Sequence, residues 1–242
     1  MLTTLTDIAR ELRQTGAVNE AERLVDAAAA EDLLSYLDFV VARIEETSMQ
    51  YFAPRQARVY EDAYRVKEGG RIQGNKLYLT YALQQVLAID NDGLLLPPEA
   101  YTLLPRSGPP YSAIRLTDAL VWGYQASTDP EACIGIEGIW VQGGVWVDSL
   151  QTLSTNLSRE AKSLNVTDAD APDARFGPAF SVGQLLRVED EFMQVRGIDG
   201  HTLSLLRGAN GTTATAHAPG STIESWYPDE QIRRAATRWG RG

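Results

Sequence analysis

The sequence contains one cysteine, two histidines and three lysines in 242 residues, and each scarcity excludes a class of site. A single cysteine, Cys133, excludes an internal disulfide framework and any metal site with several thiolate ligands. Three lysines argue against a surface that wraps DNA, because binding to phosphates rewards clustered basic residues. No apolar run approaches the roughly 18 residues of a membrane span, and the N-terminus lacks a basic start followed by an apolar block. The composition predicts a globular protein made in the cytoplasm, with no membrane partner.

The net charge is −10, and it is unevenly distributed along the chain. Residues 1–62 hold 12 acidic and 6 basic residues, a net charge of −6. Residues 63–160 and 161–228 each carry −3, whereas residues 229–242 hold 2 acidic and 4 basic residues, a net of +2. The body is therefore acidic and the tail is basic, and an acidic body argues against a protein that wraps DNA.

The first segment, residues 1–62, has the periodicity of amphipathic helices. Asn19 followed by Glu22 fits an N-terminal capping box, and Pro54 ends the helical pattern. The apolar residues that recur at helical spacing are Leu33, Tyr36, Leu37, Val40, Val41 and Ile44.

The rest of the chain predicts short strands separated by turns. Residues 63–160 form a β-rich region, in which the Asn91-Asp92-Gly93 stretch is typical of a hairpin. Residues 161–228 predict a small β module, with turns at Glu189-Asp190 and Asp199-Gly200. Residues 229–242 predict a basic C-terminal helix and tail.

These segments together predict an α+β fold. We expect an N-terminal helical bundle that the C-terminal helix joins, with residues 1–62 docking against residues 229–239. A central β-strand region and a small C-terminal β module complete the predicted fold.

The stretch RGANGTTATAHAPGS, residues 207–221, invites three interpretations. A phosphate-binding loop needs a Gly-Lys-Ser/Thr sequence before a helix, and this stretch has neither the lysine nor the helix. A metal site at His217 would need convergent acids, and strand geometry does not turn Glu189, Asp190 and Glu191 to one side. We therefore interpret the stretch as a solvated loop with an exposed histidine.

No catalytic, cofactor-binding or metal-binding residue is predicted. Cys133 lies in an alternating strand pattern and is interpreted as a small buried thiol. His201, after the turn at Gly200, is interpreted as an exposed loop residue like His217. Trp239 ends a helix too short to bury an indole by itself, so it must dock on the N-terminal helices or on another protein.

Several segments, in order, resemble those of bacteriophage head–tail connector (adaptor) proteins. LLSYLDFVVARIEETSMQYFAPRQARVYED resembles their helix, aromatic-x-Pro turn and Arg-x-Tyr-acid strand. IGIEGIWVQGG resembles their Gly-x-Trp strand, residues 180–223 resemble a β module of neck and tail proteins, and YPDEQIRRAATR resembles their last helix. The family's Cys-Gly-Arg before the turn is absent here, and the last helix is short. The family-like positions are Phe52, Pro54, Arg58, Tyr60 and Trp140.

This resemblance implies a structural virion protein and not an enzyme, with no cofactor. Its place would be the head–tail junction, in a ring of twelve copies that binds the portal protein and then stopper or tail proteins, while DNA passes through without specific binding. The basic helix would dock on the portal, and the loop of residues 207–221 would contact neighbours. The expected portal-binding residues are Ile232, Arg233, Arg234, Arg238 and Trp239, and the expected loop contacts are Asn210, Gly211, Thr212 and His217.

Two alternatives stay open at this point. The first is another neck or tail component, such as a stopper or a baseplate part, because the β module occurs in many such proteins. The second is a carbohydrate-binding or hydrolytic tail protein that uses Trp122, Trp140 or Trp146 as sugar platforms.

Overall fold

The structure is a computed structural model that describes residues 27–123 and 129–239. The chain divides into two compact units. Met49–Gln142 forms one of them, here called the inserted unit. The chain before and after it, described for residues 27–48 and 143–239, forms the other, here called the flanking unit. Each unit has its own antiparallel sheet and its own apolar core.

Thirteen strands and two α-helices make up the regular structure of the described residues. The helices are α1 (Ala27–Ser48) and α2 (Glu230–Trp239). The strands of the inserted unit are β1 (Arg55–Glu61), β2 (Ile72–Gln73), β3 (Lys76–Asn91), β4 (Leu94–Leu95), β5 (Tyr101–Leu104), β6 (Tyr111–Leu116) and β7 (Ile134–Trp140). Those of the flanking unit are β8 (Val145–Thr152), β9 (Ser163–Asn165), β10 (Leu185–Val188), β11 (Glu191–Asp199), β12 (Thr202–Leu206) and β13 (Thr222–Tyr227).

The sheet of the inserted unit has the order β1-β7-β3-β6-β5, with the short strands β2 and β4 also paired to β3. β3 is 16 residues long and serves two neighbours, because its first half pairs with β6 and its second half with β7. Alternate residues along these strands face one side and are buried there. The fully buried residues of this core include Leu77, Leu83, Ile89, Ile114, Trp122 and Trp140.

The sheet of the flanking unit has the order β8-β13-β10-β11-β12-β9. β10, β11 and β12 follow one another as hairpins, with Glu189 and Gly200 at positive φ in the two turns. The sequence predicts both turns, and the structure confirms them. The buried apolar residues of this core include Leu186, Val188, Met193, Val195, Leu203 and Ile223.

The predicted fold class is wrong, since residues 27–123 and 129–239 form mainly two antiparallel sheets, and the N-terminal part of these described residues contributes one helix and not a helical bundle. Residues 1–26 lie outside the described residues, and the helical pattern of residues 27–48 forms the single helix α1. α1 contacts α2, and Arg196 of β11 lies 3.7 Å from Asp38 of α1. The apolar periodicity identified a real helix, but one amphipathic face buries equally well against a sheet or against helices.

Helix α1 has both buried and exposed apolar side chains. Val40 and Val41 of α1 are buried, whereas Phe39 is 66% exposed. Within the described residues, neither helix combines the length and apolar character needed to cross a membrane.

Candidate functional site: the buried Glu191 network

The stretch that begins at Arg207 folds back against the start of β11. Gly208 (φ 59°) and Asn210 (φ 50°) both adopt left-handed backbone conformations, and the short 3₁₀ turn Ala209–Gly211 ends at Thr212. The Thr212 hydroxyl accepts the backbone N–H of Phe192 at 3.0 Å and donates to the carbonyl of Ala209 at 2.9 Å. The loop is therefore fixed to the sheet at this point.

Glu191, the first residue of β11, is the centre of a buried network. Its side chain is 1% exposed, and Arg207 donates to both carboxylate oxygens, with Nε at 2.7 Å and Nη2 at 2.8 Å. The backbone N–H groups of Gly208 and Thr215 donate to the same carboxylate at 3.0 and 2.9 Å. Such a two-pronged guanidinium–carboxylate pair with additional backbone donors is the strong form of an ion pair.

These contacts decide the charge of Glu191. Burial by itself raises the pKa of this carboxyl group, but the donors from Arg207, Thr215, His217 and Gly208 outweigh burial and lower the pKa to about 2. Glu191 is therefore ionised at neutral and mildly acidic pH.

His217 completes the network and is fully buried. Its Nε2 lies 2.9 Å from Glu191 Oε2, its Nδ1 lies 3.0 Å from Glu189 Oε2, and its backbone exchanges two hydrogen bonds with Leu157. When both ring nitrogens carry protons, the imidazolium donates to both carboxylates. The hydrogen bonds from His217 and Ser221 lower the pKa of the exposed Glu189 carboxyl group.

The interpretation of His217 as an exposed loop histidine is wrong. The sequence argument held that the three successive acids could not converge, and Asp190 is indeed exposed. Glu189 and Glu191 are two residues apart, however, and the hairpin between β10 and β11 brings both carboxylates to the histidine. The signal in the sequence was the combination of acids at 189 and 191 with an Arg-Gly and a histidine in the following long loop.

Arg207 ties the network to a third part of the chain. Its Nη1 donates to the carbonyls of Ser158 and Ala161 at 2.9 and 3.0 Å, and its Nη2 donates to the carbonyl of Thr215 at 2.7 Å. One guanidinium thus joins the segment before β9, the start of β11 and the loop of residues 207–221. This side chain satisfies carbonyl groups that would otherwise lose hydrogen bonds on burial.

The network superficially resembles a hydrolytic triad, because Thr215 Oγ1 lies 3.3 Å from His217 Nε2 and Glu189 lies at the opposite ring nitrogen. A working general base keeps Nε2 directed at the nucleophile. Here Glu191 lies closer to Nε2 than Thr215 does, and the histidine is closed off from solvent. Within the described residues, no set of three His, Cys, Asp or Glu side chains is arranged to hold a metal ion. The role that this arrangement supports is structural: it holds the loop of residues 207–221 against the sheet.

The loop residues that were predicted to contact neighbours differ in how exposed they are. Gly211 is exposed and Asn210 is half-buried at the turn, whereas Thr212 and His217 face inwards. His201 lies at the β11–β12 turn and is exposed, as predicted, and its Nδ1 accepts the N–H of Ala169 at 3.3 Å.

The expected portal-binding residues lie on α2. Ile232 is half-buried. Arg233 and Arg234 both pair with Glu230 of the same helix, at 2.7 and 2.9 Å, and their hydrogen bonds lower the pKa of that carboxyl group. The side chains of Arg238 and Trp239 lie outside the described residues.

The family-like positions all lie in the inserted unit. Phe52 and Pro54 are buried just before β1, and Arg58 of β1 donates to Asp90 of β3 at 2.7 Å. Tyr60 is 57% exposed beneath the Arg58 guanidinium, and Trp140 is fully buried in β7. The structure therefore places the family-like residues of positions 52–60 before and in β1, and Trp140 in β7, the strand that pairs with β1.

A second buried carboxylate, Glu61, lies at the end of β1. Its oxygens accept the backbone N–H and the hydroxyl of Thr80 at 2.7 and 2.8 Å, while the nearest cation, Arg71, is 3.8 Å away. Burial raises the pKa of Glu61, and the contacts from Thr80 and Arg71 offset only part of that effect. Burial likewise raises the pKa of the half-buried Cys133 thiol.

No known protein family and no curated protein matches this chain.

Proposed function

We propose that the chain is a structural component of the neck of a tailed bacteriophage, a head–tail adaptor that forms a ring between the portal and the tail. The observation that carries the proposal is the meeting of the family-like segments in one sheet. β1 and β7 pair along their whole length, with Arg55 opposite Trp140, and the Trp140 indole donates to the carbonyl of Ala57 at 2.9 Å. Segments 80 residues apart in the sequence thus build one structural element, as expected if they derive from one motif set.

The charge of the chain suits a ring around DNA. Twelve copies that each carry −10 amount to a formal charge of about −120. An acidic wall repels the phosphates of a passing duplex, so that the genome slides without being held. The scarcity of lysine supports this role better than it supports any role in holding DNA.

The proposed contact with the portal is made by α2. Ile232 and Trp239 would fill an apolar pocket, and Arg233, Arg234 and Arg238 would meet acidic groups. Arg233 and Arg234 now pair with Glu230, which is half exposed. Exposed pairs of this kind contribute little, so their exchange for acids of the portal costs little.

Light-scattering mass on size exclusion tests the proposal. The chain is measured alone and mixed with the portal protein encoded nearby, with and without residues 229–242. We expect a complex with one copy per portal subunit, and we expect truncation to abolish it. Absence of a complex in both forms contradicts the adaptor and favours a stopper or another tail component.

A single substitution separates docking from folding. Trp239→Ala is expected to weaken portal binding about thirtyfold or more, since a central aromatic anchor contributes about 2 kcal/mol or more. Its urea unfolding is expected to match that of the unchanged chain. An equal loss of folding stability would place Trp239 in the core and contradict the docking role.

The alternative of a sugar-binding tail protein has less support from the geometry. Trp122 and Trp140 are buried in the core of the inserted unit, and neither presents a ring face to a sugar. Trp146 is half-buried, packs against Phe192 and Trp226, and has the Arg187 guanidinium 4.8 Å above it. Titration of host polysaccharide against tryptophan fluorescence would reveal a platform if one exists.

A further inference from the structure

Two basic side chains lie next to each other on the sheet of the inserted unit. Lys76 of β3 is directly opposite Arg115 of β6. The register extends this line to Gln73 of β2 on one side and to Thr102 of β5 on the other. Directly opposite residues in an antiparallel sheet share a face, so the four side chains form a line across four strands, here called the basic row.

Within the part of the chain that the structure describes, the basic row has no acidic partner. Among the described residues, no carboxylate forms an ion pair with Lys76 or Arg115. The Lys76 ammonium instead donates to the Tyr78 hydroxyl at 3.1 Å and lies 4.3 Å from the centre of that ring. Like charges directly opposite each other destabilise a sheet. An anionic surface supplied from outside would remove this repulsion.

The flanking unit presents a loop of the opposite character, residues 168–179, here called the acidic loop. Asp168 and Asp170 are exposed at its start, and neither forms an ion pair within the described residues. The flanking unit carries most of the charge of the chain. Met49–Gln142 holds 8 basic and 10 acidic residues, a net of −2, which leaves −8 of the total −10 for the flanking unit.

The acidic loop is held in one conformation and exposes an aromatic ring. The buried Asp173 accepts the backbone N–H groups of Arg175 and Gly177 at 2.8 and 2.9 Å, and its other oxygen accepts the Tyr227 hydroxyl at 2.6 Å. Phe176, between these two amides, has a φ of 61° and is 92% exposed. A fixed, exposed aromatic residue loses little conformational freedom when a partner covers it.

We propose that the basic row of one copy of this chain binds the acidic loop of a second copy, with Asp168 and Asp170 meeting Lys76 and Arg115. Phe176 of the loop packs beside Tyr78, which is at the margin of the row. This proposal rests on the proposed function, because a ring of identical chains requires two different surfaces that fit each other. Charge complementarity argues for this occupant. Within the described residues, the row holds two adjacent cations without an ion pair, and the loop holds two exposed carboxylates without one.

Duplex DNA fits the basic row less well than the acidic loop of a second copy does. Measurable affinity for DNA comes from neutralising many phosphates, and the row offers two cations on a chain of net charge −10. Two carboxylates on a fixed loop match two cations on adjacent strands.

Charge reversal in both surfaces tests the contact. One variant carries Lys76→Glu with Arg115→Glu, and a second carries Asp168→Lys with Asp170→Lys. Each variant alone is expected to weaken self-association about tenfold or more, measured by sedimentation velocity with and without the portal, because like charges then face each other. A mixture of the two variants is expected to restore association, since each contact in the mixture again joins opposite charges.

A matched control carries the same charge change elsewhere in the inserted unit, Lys67→Glu with Arg106→Glu, at two exposed positions. It is expected to leave association within about twofold of the unchanged chain. Thermal unfolding of every variant separates loss of contact from loss of fold.

Four results overturn the contact: an unchanged chain that stays monomeric with and without the portal, a mixture that fails to restore association, a control as damaging as the row variant, or duplex DNA binding that the row variant abolishes. Binding of the unchanged chain to the portal protein is measured separately. If it persists while charge reversal leaves association unchanged, only the contact fails. If the unchanged chain does not bind the portal, the proposed function fails.

Discussion

The two units each bury a glutamate at one end of a strand, and the two carboxylates behave in opposite ways. Glu191 of the flanking unit is 1% exposed, and its pKa falls to about 2. Glu61 of the inserted unit is 4% exposed, and its pKa is raised. The difference lies in the donors, because Arg207 binds Glu191 through two nitrogens, whereas Arg71 stays 3.8 Å from Glu61 and donates its Nη1 to the carbonyl of Leu79.

This comparison shows that burial does not by itself determine the charge of a carboxyl group. Desolvation penalises the ionised form at both sites, and the result depends on how many charged or backbone donors face the oxygens. At Glu191 the donors come from a long loop that the network fastens. At Glu61 they come from Thr80 of β3, a strand that pairs with β6 and β7 and not with β1.

The largest difference between the two sites is expected when the arginine at each site is replaced. Arg207→Met is expected to reduce the free energy of unfolding of the flanking unit by about 3–5 kcal/mol, because it leaves a buried charge without its partner. Arg71→Met is the matched control, and its cost is expected to stay below about 1 kcal/mol, since the Arg71 side chain is half exposed. Urea unfolding, with hydrogen exchange to assign each transition, measures both. Similar losses in the two variants would contradict the distinction between the sites.

Acid should weaken the flanking unit selectively. The folded state lowers the pKa of Glu191 from an ordinary 4.5 to about 2, so its contribution is complete above about pH 5 and is lost as pH falls from 4.5 towards 2. The full loss amounts to about 3 kcal/mol. Hydrogen exchange corrected for intrinsic rates should show β11 and β12 losing protection between about pH 5 and pH 3. Protection in these strands that does not depend on pH would contradict the role of Glu191.

The smallest effect is expected at Glu61, with the opposite sign. Because the folded state raises the pKa of Glu61, this group stabilises the fold below its ordinary value and loses that contribution as pH rises through the raised pKa. Glu61→Gln removes the titration, so the stability difference should shift in favour of the variant between about pH 4 and pH 7. Urea unfolding at the two pH values measures the shift. A shift in favour of the unchanged chain would show that Arg71 and Thr80 outweigh burial.

Local patterns in the sequence predicted a helix before Pro54, short strands and turns after it, and a helix near the C-terminus, and the described residues contain elements of these types in these ranges. Asp92, Gly93 and Gly200 have positive φ in the predicted turns, and β9 to β13 lie within the predicted β module of residues 161–228. The helical bundle and the exposure of His217 were predicted wrongly. For the histidine the decisive partners are distant in the sequence: they are the carboxylates 26 and 28 residues before it.

Composition and the order of neighbouring residues were enough to establish the scarcity of thiols and lysines, the net charge of −10 and the alternation typical of strands. The fold was needed to show that residues 27–48 and residues 143–239 share one unit, and that Glu191 is charged while burial raises the pKa of Glu61. Charge state and burial depend on which atoms meet in space, and Arg207 and His217, which follow Glu191 by 16 and 26 residues in the sequence, reach it only through the folding of β11, β12 and the loop after them.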